Sequence, residues 1–215
     1  KIEELEREMD LDFVLQDLDG LFRETGEGLE RLKEIIQNLR EFARVDQVGD
    51  YTEYDINEGV KSVLVITRNE YKYYAEVETD LGDIPHIYCH PGQINEVLMN
   101  IIVNAAQAIK SQNREEKGNI SIKTYSDGKY VYCVISDDGP GIPKEIQGKI
   151  FDPFFTTKEV GKGTGLGLSI SYDIVVNKHK GEIYVESEVG KGTTFTVKLP
   201  IRRDSSEDGE KSPLR

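Results

Sequence analysis

With 215 residues and a formal net charge of −13, the chain is long enough to bury a real core, and its acidic surface argues against a nucleic-acid partner. No apolar run reaches membrane-spanning length and no signal or targeting segment is evident, so the chain is expected to be soluble, cytoplasmic and without membrane contact. Two cysteines, Cys89 and Cys133, sit in apolar, strand-like stretches without metal-type spacing, which excludes a disulfide framework and suits small buried thiols.

From Leu11 to Phe42, Leu11, Val14, Leu18, Leu21, Leu29, Leu32, Ile36 and Leu39 recur at three- and four-residue steps. This spacing predicts a long amphipathic helix, or two joined near Gly20, Gly26 and Gly28. Its narrow stripe suits a bundle or coiled-coil seam, or a helix folded back on its own domain. The polar stretch DQVGDY ends the pattern and serves as a linker. TEYDI then reads as a short strand, and NEGVKSVLVITRN as a helix capped by Asn57, with Val60, Val63, Leu64 and Thr67 on one face. AEVETDL alternates as a strand and HIYC as a short buried one. PGQINEVLMNIIVNAAQAIKSQ carries the strongest helical pattern, with Pro91 in its first turn and Ile94, Val97, Leu98, Ile101, Ile102, Ala105 and Ile109 as its apolar face. Two hairpins follow, one turning at Ser126-Asp127-Gly128-Lys129 and one at Val189-Gly190-Lys191-Gly192. Between them lie a long segment of little strand character and a helix from Leu166 to about Asn177. Hairpins separated by helices predict an α+β fold, a mostly antiparallel sheet covered on one face by helices and preceded by the long amphipathic helix. The long segment reads as a lid or binding loop. Residues 1–46 form the helical region, 50–200 the main domain and 202–215 a tail expected to be disordered.

The stretch GKGTGLGLSISY places glycines at alternate positions directly before an apolar helical run. It fails the P-loop pattern, because Gly161-Lys162 is followed by Gly163, and it fails the dinucleotide fingerprint, because the last glycine would fall on Leu168 or Ile170. What remains is bare backbone N–H close to a helix N-terminus, a setting that favours an anion such as a polyphosphate, beside the alternative of a plain flexible hinge. On the strong helix Glu96, Asn100 and Asn104 stand four apart on one face, with Gln107 nearby. Carboxamide oxygens facing a polyphosphate are suitable ligands for Mg²⁺, although polar residues on an amphipathic helix also simply face solvent. Asp137-Asp138-Gly139-Pro140-Gly141-Ile142 ends a buried strand with a carboxylate able to accept from an amino group such as that of adenine, and its glycines admit a planar base.

The order of these pieces is more specific than any one of them. An Asn-bearing helix, a strand ending in DxGxG, Phe151-Asp152-Pro153-Phe154-Phe155, the alternate glycines opening a helix, and Gly190-Lys191-Gly192-Thr193 together resemble the catalytic ATP-binding domain of sensor histidine kinases, members of the GHKL superfamily with a Bergerat-type two-layer α/β sandwich. The resemblance covers roughly residues 50 to 200, and GLERLKEIIQNLREFARVD resembles the second helix of the family's dimerisation and phosphotransfer hairpin. It implies ATP and Mg²⁺ as ligands, with Asn104 on the metal and Asn100, one turn earlier, in the catalytic site. It further implies that Gln107 and Ala108 line the nucleotide site, that Asp137 reads the adenine amino group, and that Gly139, Gly141 and Ile142 form the base pocket. Gly163, Thr164, Gly165, Leu166, Gly167 and Leu168 would wrap the phosphates, Thr193 would sit beside the adenine, and Lys158 and Lys162 would meet the γ-phosphate. A lid from about Ile142 to Thr164 would be anchored by Phe151, Phe154 and Phe155.

Two departures accompany the resemblance. Gln107 stands where many members carry a basic residue, with Lys110 as a substitute, and His86, His90 and His179 all lack the helical context of a phosphoacceptor. The acceptor is expected upstream of Lys1, the chain being read as a fragment that starts without Met. The implied activity is transfer of the γ-phosphoryl of ATP to that histidine and on to a response regulator, by a homodimer joined through its helices. The alternatives are a non-catalytic nucleotide-responsive interaction module and a GHKL ATPase of the type II topoisomerase or MutL kind. Such ATPases have a Glu at the position of Asn100 to activate water. An anti-sigma-type serine kinase shares the fold but lacks the long preceding helix.

Overall fold

Alternating apolar residues and four-residue turn signals build a five-stranded sheet in this chain, seen in a computed structural model that describes residues 51–158 and 163–201, with 18, 20–22, 25, 26 and 29 before them. The chain divides into two compact units, Val48–Thr157 with Gly165–Arg215, and Lys1–Gln47 with Lys158–Thr164. In the latter, residues 18, 20–22, 25, 26 and 29 are helical, and Leu18, Leu21, Phe22 and Leu29 are exposed. The rest of the predicted long helix, the linker through Asp50 and the tail lie outside the described residues.

The larger unit opens with β1 (Thr52–Tyr54), helix α1 (Ile56–Ile66) and a turn of helix α2 (Arg68–Tyr71), followed by β2 (Ala75–Leu81) and β3 (Ile87–Cys89). Helix α3 (Pro91–Ser111) leads to the hairpin β4 (Gly118–Ser126) and β5 (Tyr130–Asp137). The short α4 (Lys144–Gln147), then α5 (Gly167–Tyr172) continuing as a π-helical segment over Asp173–Lys178, precede the last hairpin of β6 (Glu182–Glu188) and β7 (Gly192–Pro200). The strand order is β2-β4-β5-β7-β6, while β1 and β3 form a separate antiparallel pair. Three of the four ladders in the large sheet are antiparallel; β2 and β4 run parallel. A parallel pair requires a crossover of a dozen or more residues, and α3 supplies it.

The helix-covered face is built in rows. Ile122, Ile135, Phe195 and Val185 are in register across β4, β5, β7 and β6, and Thr124, Cys133, Val197 and Ile183 form the next row. Against them α3 buries Ile94, Val97, Leu98, Ile101, Ile102, Ala105, Ala106 and Ile109, the apolar face expected from its spacing with Ala106 added. Cys89 and Cys133 are free, and burial pushes both thiols up to about 12.

One local expectation is corrected. The α1 cap is Asp55, whose carboxylate accepts the Asn57 N–H at 2.8 Å. Asn57 instead ties α1 to the sheet, donating to Gly82 O at 2.9 Å and accepting from Thr124 Oγ1 at 2.7 Å. Both Asp and Asn are strong caps, so sequence alone leaves the choice to tertiary contacts.

Candidate functional site

At one end of the covered face the rows turn polar: Asp137, Thr193 and Ser187 stand side by side on β5, β7 and β6, next to Ile120 on β4. Each is in phase with apolar residues two and four positions away along its strand, so all three face the helices rather than solvent. Burial lifts the Asp137 carboxyl from 3.8 to about 6, against the opposing pull of the Gly139 and Thr193 N–H groups, and with a smaller push from Asp138. The Gly139 N–H donates to Asp137 Oδ1 at 2.9 Å. Asp138 is engaged elsewhere: it accepts from Asn119 N at 2.9 Å and pairs with Arg114. Of two adjacent acids, only Asp137 therefore points its charge into the covered layer.

The loop after β5 is held tightly over this end. Gly141 has φ +74°, and a Cβ there would come within 2.2 Å of Glu188 O, so only glycine lets the loop lie on the β6–β7 turn. The Ile142 N–H donates to Ser187 Oγ at 2.8 Å, and Gln147 Nε2 donates to Ile142 O at 2.7 Å and Ser187 O at 2.9 Å. From α3, Ala108 lies directly behind Gly139.

The glycine stretch meets the same helix. Asn100 Nδ2 donates to Gly167 O at 3.2 Å and to Ser171 Oγ at 3.4 Å, and Ser171 Oγ itself donates to Gly167 O at 2.9 Å. Because a carbonyl only accepts, this contact identifies Nδ2 as the Asn100 atom bonded to the loop. Asn104 and Gln107 follow on that side of α3, both half-buried. Leu166 is buried, and its carbonyl accepts from Ile170 N and Ser169 Oγ, while Leu168 packs on the core edge. Gly165, at φ +67°, lies so close to Phe154 that a Cβ would be 2.4 Å from the Phe154 carbonyl carbon. Phe154 itself has φ +66° and an exposed ring, whereas Phe151 packs on Tyr172 and Phe195 and Phe155 on the core.

The structure thus gathers Asn100, Asn104, Gln107, Ala108, Asp137, Gly139, Gly141, Ile142, Gly165, Leu166, Gly167, Leu168 and Thr193 within one unit. Lys158, Gly163 and Thr164 belong to the other unit, and Lys162 lies outside the described residues. Among the described residues no group of three His, Cys, Asp or Glu is placed to hold a metal ion. Sequence reasoning missed Gln147, Ser171 and Ser187. For Ser187 a signal existed: it continues the phase of Ile183 and Val185, the buried side of β6.

Residues 89–203 match the family described as histidine kinase-, DNA gyrase B-, and HSP90-like ATPases, over more than half the chain. The chain belongs to that family. Among its relatives, sporulation kinase E of Bacillus subtilis (strain 168) is 41% identical over 134 residues, which cover 61% of this chain and 17% of that protein. The catalytic domain of the histidine kinase ThkA superposes with a TM-score of 0.63 at 31% identity, covering 72% of this chain and all of that one. ThkA in complex with the response regulator protein TrrA gives a TM-score of 0.65 at 29% identity, covering 80% of this chain and 48% of that one. The chain spans less than a third of the length of the curated relatives it matches first. Among the described residues no helix is long and apolar enough to cross a membrane.

Proposed function

We propose that this chain is the ATP-binding catalytic part of a sensor histidine kinase, which moves the γ-phosphoryl of Mg-ATP to a histidine outside the chain for passage to a response regulator. The observation that carries the reading is the half-buried Asp137 carboxyl in register with Thr193, at the end of a sheet face that also meets the Asn100 side of α3 and the glycine turn. A carboxylate desolvated by burial rewards an amino donor, and adenine offers one; Gly139, Gly141, Ile142 and Ala108 form the walls for its ring. Asn104 would hold a Mg²⁺ through its carboxamide oxygen, and the ion would supply charge neutralisation for the transferring phosphoryl.

Asn100, clamped through its Nδ2 to Gly167 O, holds the backbone of Gly165, Leu166, Gly167 and Leu168 toward the phosphates. Lys158, Lys162, Gly163 and Thr164 are the residues that the family resemblance assigns to the γ-phosphate, and Gln107 takes a place where a cation is common. A carboxamide has no proton-accepting strength to activate water, so Asn100 favours transfer to histidine over hydrolysis. Dimerisation through residues 1–46, a response-regulator partner and a cytoplasmic setting complete the reading; TrrA bound to the similar ThkA supports the partner class.

Titration calorimetry with Mg-ATP tests the site. The wild type binds, and Asp137→Ala weakens binding by roughly 10- to 100-fold, as expected for loss of a hydrogen bond to a charged group. Equal affinities remove Asp137 from the adenine role.

A further inference from the structure

Ser187 occupies the third position of the polar row, and its hydroxyl is fully engaged. A serine hydroxyl has one hydrogen and two lone pairs. The hydrogen goes to Gly192 O at 2.8 Å, because a carbonyl can only accept. One lone pair receives the Ile142 N–H at 2.8 Å. Thr193 Oγ1 lies 3.0 Å away, and with the Ser187 proton already committed, Thr193 must be the donor in that contact.

A threonine hydroxyl in a pocket ordinarily serves either polarity, rotating to donate to a keto oxygen or to accept from an amino group. Here Ser187 takes the Thr193 proton, so what Thr193 has left to offer is lone pairs. Its register neighbour on the same face is Asp137, whose ionised carboxylate is also acceptor-only. Thr193 is almost fully buried, so water is poorly placed to mediate a mismatch.

We propose that Ser187 is a positioning residue that sets the hydrogen-bond polarity of the base pocket and thereby selects a 6-amino purine over a 6-oxo purine. The inference rests on the adenine-site reading above and adds a residue and a selectivity to it. A 6-amino group meets two acceptors with two hydrogens. With Asp137 and Thr193 both turned to the 6-position, a 6-oxo group sets a third acceptor against them, and the N1–H that it brings lies on the neighbouring ring atom; sites built to pair one polar group strongly reject an analogue that leaves buried partners unpaired. Without Ser187 the Thr193 hydroxyl is released to donate to the oxo group, and the rejection weakens.

The test is calorimetry or competition with ATP and inosine triphosphate, both with Mg²⁺, on the wild type and on Ser187→Ala, Ser187→Thr, Thr193→Val and Asp137→Ala. The wild type should favour ATP by about a hundredfold or more. Ser187→Ala should narrow that ratio by about tenfold, the worth of one reoriented hydrogen bond, and Ser187→Thr, which keeps the hydroxyl, should restore it. A merely structural role for Ser187 would weaken both nucleotides together and leave the ratio unchanged. Should Ser187→Ala fail to fold, Thr193→Val gives the answer, since it deletes the oriented lone pairs with Ser187 in place and should narrow the ratio as well. Ratios within twofold of wild type in the folded variants overturn the inference, as does narrowing in Ser187→Ala that Ser187→Thr does not reverse. If Asp137→Ala abolishes the ATP preference while the Ser187 and Thr193 variants keep it, this inference alone fails; if the wild type binds neither nucleotide, the adenine site fails with it.

Discussion

At the scale of single residues, the site is governed by what burial does to a few polar groups, and Asp137 shows it most directly. Its carboxyl titrates at about 6 instead of 3.8 because burial disfavours the charge. A group whose folded pKa lies above its unfolded value holds its proton more tightly when folded. Below about 4 both states are protonated and nothing is lost; the penalty grows from there to about 6 and is complete above it. Asp137→Asn keeps an acceptor for the Gly139 N–H and removes the charge, so at pH 8 it should be more stable than wild type by about 1–3 kcal/mol, the difference vanishing near pH 4 in thermal unfolding. Nucleotide affinity should show the opposite preference: in the wild type it should fall as pH drops through 6, and in Asp137→Asn it should be weaker and flat. The sequence showed Asp137, since an acid at the end of a buried strand stands out. It did not show which partner each neighbour would choose. Asp55 rather than Asn57 caps α1, and Ser187 acts through Thr193, because hydrogen-bond choices among equally suitable side chains are made by tertiary proximity.

At the scale of elements, period-2 and period-3.6 patterns placed the strands of the large sheet and α3 within about a residue, since burial on one face leaves little freedom of register, whereas β1 ends at Tyr54, two residues short of the strand read from TEYDI, because Asp55 caps α1. The glycine stretch was legible as a loop before a helix but not as a seam. In the structure Gly165 lies against the backbone of Phe154, and both residues have positive φ. Phe at φ +66° is strained, and the strain is held by the close approach that Gly165 allows. Gly165→Ala should therefore cost about 1–3 kcal/mol in chemical unfolding and weaken ATP binding, through both its own φ and the clash. Gly148 is the internal control: it has φ −71° with nothing within 4 Å of a built Cβ, so Gly148→Ala should lie within about 0.5 kcal/mol of wild type or slightly above it. Equal effects at the two glycines would reject the seam.

At the scale of the whole molecule, the fold class was readable but the parallel β2–β4 pairing was not, because it joins strands separated by β3 and all of α3, and no local pattern records a partner that distant. The same topology separates the three histidines from the proposed Mg²⁺ ligand Asn104. His90 is the N-cap of α3, and its N–H donates to His179 Nε2 at 3.1 Å, so both rings sit at that end of the helix. Asn104 lies fourteen residues further along, about 21 Å at 1.5 Å per residue. His179 is almost fully buried, and its Nδ1 lies 2.8 Å from Ile174 O, so Nδ1 carries the proton while Nε2 accepts, and phosphorylation at either nitrogen breaks an existing bond. His86 is exposed but leads into β3, which runs to the same end of α3. Mixed with radiolabelled Mg-ATP, this chain alone should form no phosphohistidine, while a histidine-bearing helix supplied on a second chain should become labelled. Label on the isolated chain, mapped by mass spectrometry to His86, His90 or His179, would instead place the acceptor inside this domain and require α3 to present the nucleotide from its other end.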